Sequence, residues 1–326
     1  IGCLAMTVMT GVVGCPFVAP PAEEVDQFEV VRSAFATYFG SDPAGAIKAD
    51  TVFESMNDAN ELNQPYIVSA RSAEHFAIGH IPGAENIPWR EIAQAGAIDN
   101  LPTDRQLVVY CYTGHTGAVA TAYLGAQGFD AVNMKWGMCS WTRDQDVRVA
   151  QCFDDTVDSN DFALETTDNP GSATNDLPTL DVTTSTDEAE IIRAAADAYL
   201  SAGTSPIITA ADLFELLNDG IDSNDPVIVS VRSPEHYALG HIPGAINIPW
   251  KTIADVDNLR KLSPDQEIVE YRSTGHTRGL ATTALNVLGY NAKNMKFGII
   301  AWTQDPDIRV AGPFVDETES NDYMVE

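Results

Sequence analysis

Apolar residues recur at helical spacing from Val25 to Phe39 and again from Glu188 to Leu200, so each stretch predicts an amphipathic helix with one buried face. A second helical pattern follows, seen most clearly in Thr209-Ala-Ala-Asp-Leu-Phe-Glu-Leu-Leu. The period then changes. Short apolar runs, Tyr66 to Val68, Leu107 to Tyr110 and Ala131 to Met134, alternate with helical stretches such as Gly117 to Gln127. That alternation is the signature of a parallel sheet covered by helices, an α/β domain.

The pattern occurs twice. Ile67 to Trp89 (IVSARSAEHFAIGHIPGAENIPW) returns as Ile228 to Trp250 (IVSVRSPEHYALGHIPGAINIPW), with 18 of 23 positions identical at an offset of 161. The same ungapped offset carries Tyr38 onto Tyr199, Gly114-His115-Thr116 onto Gly275-His276-Thr277, Trp141 onto Trp302 and Asn160-Asp161 onto Asn321-Asp322. A period this long means duplicated domains, since solenoid repeats run to roughly 20–50 residues. The expected organisation is an apolar arm over 1–25, a first unit over 26–165, a linker over 166–186 and a second unit over 187–326. The linker is rich in Thr, Asp, Asn and Pro without an apolar period, and reads as exposed.

Composition adds one strong feature. The 326 residues hold 47 Asp and Glu against 18 Lys and Arg, a net charge of −29, while apolar content stays ordinary for a globular protein at 44 %. Such a field repels polyanions and excludes nucleic acid as a partner. The acidity is even, with 22 acids and 8 bases in 1–165 and 25 and 10 in 166–326.

The cysteines break the symmetry. Cys139 and Cys152 are both absent from the second unit, where Ile300 and Pro313 stand, which suits either a disulfide in one copy or two separate core thiols. A disulfide would place the chain in an oxidising compartment. Cys111 ends the apolar run Leu-Val-Val-Tyr and opens Cys111-Tyr112-Thr113-Gly114-His115-Thr116-Gly117, directly before a helical pattern. A strand, a tight turn and a helix start set a thiol over backbone N–H groups and the positive end of a helix dipole, a site suited to an anionic sulfur species. The alternative for Cys111 is a small core residue.

Three motifs, GHIPGA-x-NIP at Gly79 to Pro88 and Gly240 to Pro249, the preceding Arg-Ser-x-Glu-His, and Cys-x-x-Gly-x-Thr at Cys111, resemble the rhodanese (sulfurtransferase) family. The resemblance covers nearly all of the chain from about residue 25. It implies two domains, each a parallel five-stranded sheet flanked by helices, with a nucleophilic Cys in a six-residue loop after a central strand. Cys111 would take a sulfane sulfur as a persulfide and pass it to a thiophilic acceptor. The loop from Tyr112 through Gly117 would supply N–H donors, with hydroxyls from Thr113 and Thr116, and Gly114 would permit the tight bend. His115 would either contact substrate or face solvent. Arg71 matches a family arginine near the active site, against which stands a structural role on Glu74 or a loop carbonyl.

The second unit departs from the family pattern. Arg272 replaces the nucleophile, so no persulfide forms there, and Arg272 and Arg278 become candidate anion ligands or loop fillers. The phosphatase relatives of this fold need Cys-x5-Arg. The first unit has Cys111 with Gly117, the second Arg272 with Arg278, so neither copy fits. No cofactor or metal is implied. The acidic ends, Asp154 to Asp161 and Asp316 to Asp322, read as solvated tails rather than calcium sites, lacking a Gly-centred loop.

Residues 1–20 are uncharged and mostly apolar, too short and punctuated for a membrane span. Val12-Val13-Gly14-Cys15 resembles a lipobox, which would lipidate Cys15 and anchor an exported protein at a membrane. Alternatively Cys3 and Cys15 pair or pack, and the arm docks into a neighbouring copy to build a homo-oligomer or filament. Two functions follow: an exported sulfurtransferase using a small sulfane-sulfur donor and a thiol acceptor, or a non-catalytic assembly protein built from the same fold.

Overall fold

The computed structural model describes residues 25–326 apart from 42, 44, 172, 173 and 275–277, and of Arg278 the backbone only. The expectations on Cys3, Cys15 and residues 1–20 fall outside the described residues.

Two parallel five-stranded sheets form the molecule. The first runs β1-β5-β4-β2-β3, with β1 Ala46–Ile47, β2 Tyr66–Ser69, β3 Glu85–Asn86, β4 Leu107–Tyr110 and β5 Ala131–Met134. The second repeats that order with β6 Ile207–Ile208, β7 Val227–Ser230, β8 Ile246–Asn247, β9 Ile268–Tyr271 and β10 Ala292–Met295. In the central strand Val108 pairs with Ile67 on one side and Val132 on the other, all buried, as befits a parallel sheet covered on both faces. The leading helices span Gln27–Gly40 and Glu188–Ser201, capped by Asp26 and Asp187, whose side chains accept from the N–H groups of Glu29 and Glu190. Thr209 caps the second helix of its unit, Ala210–Leu216, in the same way.

After β4 the helix His115–Ala126 starts two residues earlier than its apolar pattern suggests, and from Gly117 on every residue of it is buried. A helix apolar on all sides needs cover on all sides. It lies between its own sheet and its counterpart Arg278–Val287, and the two cross where a Cβ on Gly279 would come within 2.6 Å of the Ala118 Cβ. Since 118 and 279 are equivalent positions, the crossing marks a pseudo-twofold axis between the units. One continuous apolar core joins both halves across it.

The ends of the units are exchanged. Residues 160–165 lie on the second unit: the N–H groups of Asn160 and Phe162 donate to Ala301 and Trp302 carbonyls, and Trp302 Nε1 donates to Ala163 O. Their equivalents lie on the first unit, with Asn321 and Tyr323 donating to Ser140 and Trp141 and Trp141 Nε1 to Met324 O. The acidic ends are therefore docked rather than loose, with their carboxylates still partly solvated. Buried Arg148 binds Asp316 at 2.6 Å, and buried Arg309 binds Asp155 at 2.9 Å. The linker is likewise not free, because Leu177, Leu180 and Val182 pack against the core.

Candidate functional site

Four-residue β4 delivers Cys111 to the floor of the turn, and Gly114, at φ 88°, turns the chain into the helix that begins at His115. An L side chain is strained at that φ, so the glycine is required for the bend. The Gly114 N–H donates to Cys111 Sγ at 3.1 Å. The turn is braced from below: Asn133 Nδ2 donates to Gly114 O at 2.8 Å, and the N–H groups of Met138 and Cys139 donate to the carbonyls of Cys111 and Tyr112. Cys139 is joined to Cys152 in a disulfide, which ties the bracing segment down directly behind Cys111. Gly117 is fixed by space, since a Cβ there would stand 2.6 Å from Asn133 Oδ1 and 3.3 Å from Cys111 N.

Cys111 is 1 % exposed, while Tyr112, Thr113 and Thr116 are half-buried and form the outer side of the turn. Tyr112 is fastened by its hydroxyl, which lies 2.5 Å from His75 Nδ1 and accepts from Ser72 N–H at 3.2 Å. His75 and Ser72 were not singled out in the sequence; the Arg-Ser-x-Glu-His motif holding them was.

Two residues around the turn are held inside the molecule. His115 does not face solvent. It is buried against the second unit, where its Nε2 accepts from Phe297 N–H at 3.2 Å and its ring meets the Phe297 ring edge-on at 5.2 Å. That contact puts the ring proton on Nδ1, which lies 2.9 Å from Thr113 Oγ1. Arg71 is fully buried, and its Nη groups donate to the carbonyls of Gly79, His75 and Val147. Its guanidinium lies 5.2 Å from the Tyr112 ring centre, and its carbonyl partners tie together the segments around the loop. Arg232 in the second unit donates in the same way to Gly240 and Ile308 carbonyls, where there is no thiol to serve.

The second turn keeps the bracing and changes the chemistry. Ile299 and Ile300 N–H groups donate to Arg272 and Ser273 carbonyls, as Met138 and Cys139 do in the first unit. Arg272 lies largely buried with its guanidinium 5.7 Å from the Trp250 ring centre, and burial holds it below the ordinary arginine value. Beneath it, fully buried Glu270 replaces Val109 and accepts from the Thr282 hydroxyl. Arg278 opens the following helix, but its side chain lies outside what is described, so the anion-ligand expectation there stands without geometry. Among the described residues no cluster of His, Cys, Asp and Glu could hold a metal ion.

Comparison with known proteins agrees with the geometry. The rhodanese-like domain family matches residues 50–144 and 213–305. The HTH-type transcriptional regulator Rv0324 of Mycobacterium tuberculosis is 36 % identical over 139 residues, covering 39 % of this chain and 56 % of the regulator. The chain thus spans about half the length of that relative. The thiosulfate sulfurtransferase GlpE of Pseudomonas aeruginosa is 36 % identical over 80 residues, 24 % of this chain and 71 % of the enzyme. A solved thiosulfate sulfurtransferase from Pseudomonas aeruginosa aligns with 88 % of this chain and 49 % of its own at 16 % identity and a TM-score of 0.30.

Proposed function

The chain belongs to the rhodanese-like domain family in both of its halves, and from that premise we propose that it is a sulfurtransferase whose Cys111 carries the sulfur. The observation that carries this reading is the Gly114 N–H aimed at Cys111 Sγ from 3.1 Å, at the N-terminus of a buried helix. A donor there, with the helix dipole behind it, suits the negative charge that a persulfide on Cys111 would bring. In the first step the Cys111 thiolate attacks the outer sulfur of a sulfane donor; the S–S bond forms, the donor's bond to that sulfur breaks, and the leaving group departs with its electron pair. In the second an acceptor thiolate takes the same sulfur, and Cys111 leaves as thiolate. The cycle is redox-neutral and needs no cofactor. Tyr112, Thr113 and Thr116 are the residues a donor meets on approach.

The Cys139–Cys152 disulfide supports an oxidising, exported setting. Among the described residues no helix is long and apolar enough to cross a membrane, and membrane attachment rests on the Cys15 reading alone. The test is turnover with thiosulfate and with inorganic polysulfide as donors and a small thiol as acceptor. Cys111→Ser should reduce transfer to the uncatalysed rate; a variant that retains the rate removes Cys111 from the mechanism. The near-complete burial of Cys111 favours a second reading, a non-catalytic assembly protein, which predicts no transfer by the unaltered chain with either donor.

A further inference from the structure

The residue after Cys111 is fastened in a way that its counterpart after Arg272 is not. Tyr112 is held at both ends of its side chain. Its hydroxyl accepts from Ser72 N–H at 3.2 Å and lies 2.5 Å from His75 Nδ1 and 3.4 Å from Ser72 Oγ. The nearer nitrogen is the better acceptor for the phenol proton, which leaves the His75 ring proton on Nε2. The Tyr112 ring meets the His75 ring edge-on at 5.4 Å and has the Arg71 guanidinium 5.2 Å from its centre. Arg71 also donates to His75 O at 2.8 Å, so the clasp is tied to a buried side chain.

The second unit has every part of this clasp except the tyrosine. Arg232, Ser233 and His236 stand at the positions of Arg71, Ser72 and His75. Ser233 Oγ accepts from His236 N–H at 3.3 Å, as Ser72 Oγ does from His75 N–H. At the position of Tyr112 is Ser273, shorter by a phenol ring, and His236 is exposed where His75 is half-buried. Yet the two turns share their brace, Met138 and Cys139 N–H groups in the first and Ile299 and Ile300 in the second. The turn therefore forms without the clasp. What the clasp accompanies is the thiol.

We propose that His75 is a positioning residue for sulfur transfer, an inference that rests on Cys111 being the sulfur carrier. By holding the Tyr112 hydroxyl it fixes the ring on the outer side of the turn before a donor arrives, so that no binding energy goes into ordering that side chain. The test is the rate of sulfur gain on Cys111, followed by peptide mass spectrometry over a range of polysulfide concentrations. His75→Leu and Tyr112→Phe should each raise the half-saturating donor concentration about fivefold and leave the limiting rate unchanged. The double variant should match either single one, because both remove the same hydrogen bond. His75→Asn, which keeps an acceptor where Nδ1 stands, should restore the unaltered value. A merely structural role would lower the fraction of competent protein, and with it the limiting rate, at an unchanged half-saturating concentration; that pattern overturns the proposal. Additive losses in the double variant, or no rescue by His75→Asn, also overturn it. An unaltered chain that gains no sulfur on Cys111 overturns the sulfurtransferase reading as well, whereas normal gain by the unaltered chain with the same concentration dependence in His75→Leu overturns this proposal alone.

Discussion

The turn after β4 and the turn after β9 have one backbone scheme and opposite interiors. Both are braced from below by two N–H groups of the following short helix, and in both a buried arginine, Arg71 or Arg232, fastens the neighbouring loop by its carbonyls. In the first unit the space between strand and helix is filled by Val109, Cys111 and Gly117. In the second those positions are Glu270, Arg272 and Arg278. Thr121 donates back to Gly117 O within its helix, whereas its equivalent Thr282 donates to the Glu270 carboxylate. The frame is thus independent of the chemistry it holds. One copy keeps a thiol beside the Gly114 N–H; the other places the Arg272 guanidinium and the buried Glu270 carboxylate at the equivalent positions.

The comparison breaks most easily at the frame. Arg148→Ala and Arg309→Ala each remove a buried guanidinium from its partners, the first from Thr142, Cys139, Asp316 and Ser320, the second from Thr303, Ile300, Ser159 and Asp155. Each should cost about 3 kcal/mol in urea unfolding, and the two losses should match. A large effect of one alone would mean that the exchanged tails are not equivalent. Reducing the disulfide, or Cys139→Ser with Cys152→Ser, should cost about 2–3 kcal/mol for a loop of this length. Hydrogen exchange should then rise around Cys111 and not around Arg272, because only the first turn has its brace tied down.

Gly279→Val tests the axis between the units. With Ala118 Cβ so close, the helices must part, at about 1–3 kcal/mol by thermal melting. Enlarging Ala118 to Val should cost a similar amount if the crossing is symmetric.

The smallest expected effect is acid release of the first unit's tail. A hydrogen bond from Arg309 holds Asp155 below the ordinary carboxylate range, and the Gly244 N–H does the same for Glu165. Their stabilisation is complete above the unfolded carboxylate value and is lost as pH falls through the lowered folded one, so it fades below about pH 4. Both groups are partly solvated, which limits the effect to less than about 1 kcal/mol. Limited proteolysis at 154–165 across that range would show it.

Much of this was legible in the residues. The ungapped repeat gave two copies of one fold, the change of apolar period gave its parallel sheets, and the joint absence of Cys139 and Cys152 from the second copy left their pairing as one of two open readings. The tail exchange was not legible, because residues 160–165 and 321–326 have the same local pattern whether they pack on their own unit or the other. Nor was the placement of His115, whose partner Phe297 lies 182 positions away in the other half. Arg71 carried two readings in the sequence, and the three carbonyls around it, spread over residues 75 to 147, were not visible there.

The most direct test of the central claim, that sulfur chemistry resides in the first turn alone, is to mix the protein with a sulfane donor and map added sulfur by intact-mass and peptide mass spectrometry. One extra sulfur atom is expected, located on the Cys111 peptide and removed by an acceptor thiol. A chain that gains no sulfur from any donor, or that gains it equally as Cys111→Ser, would contradict it.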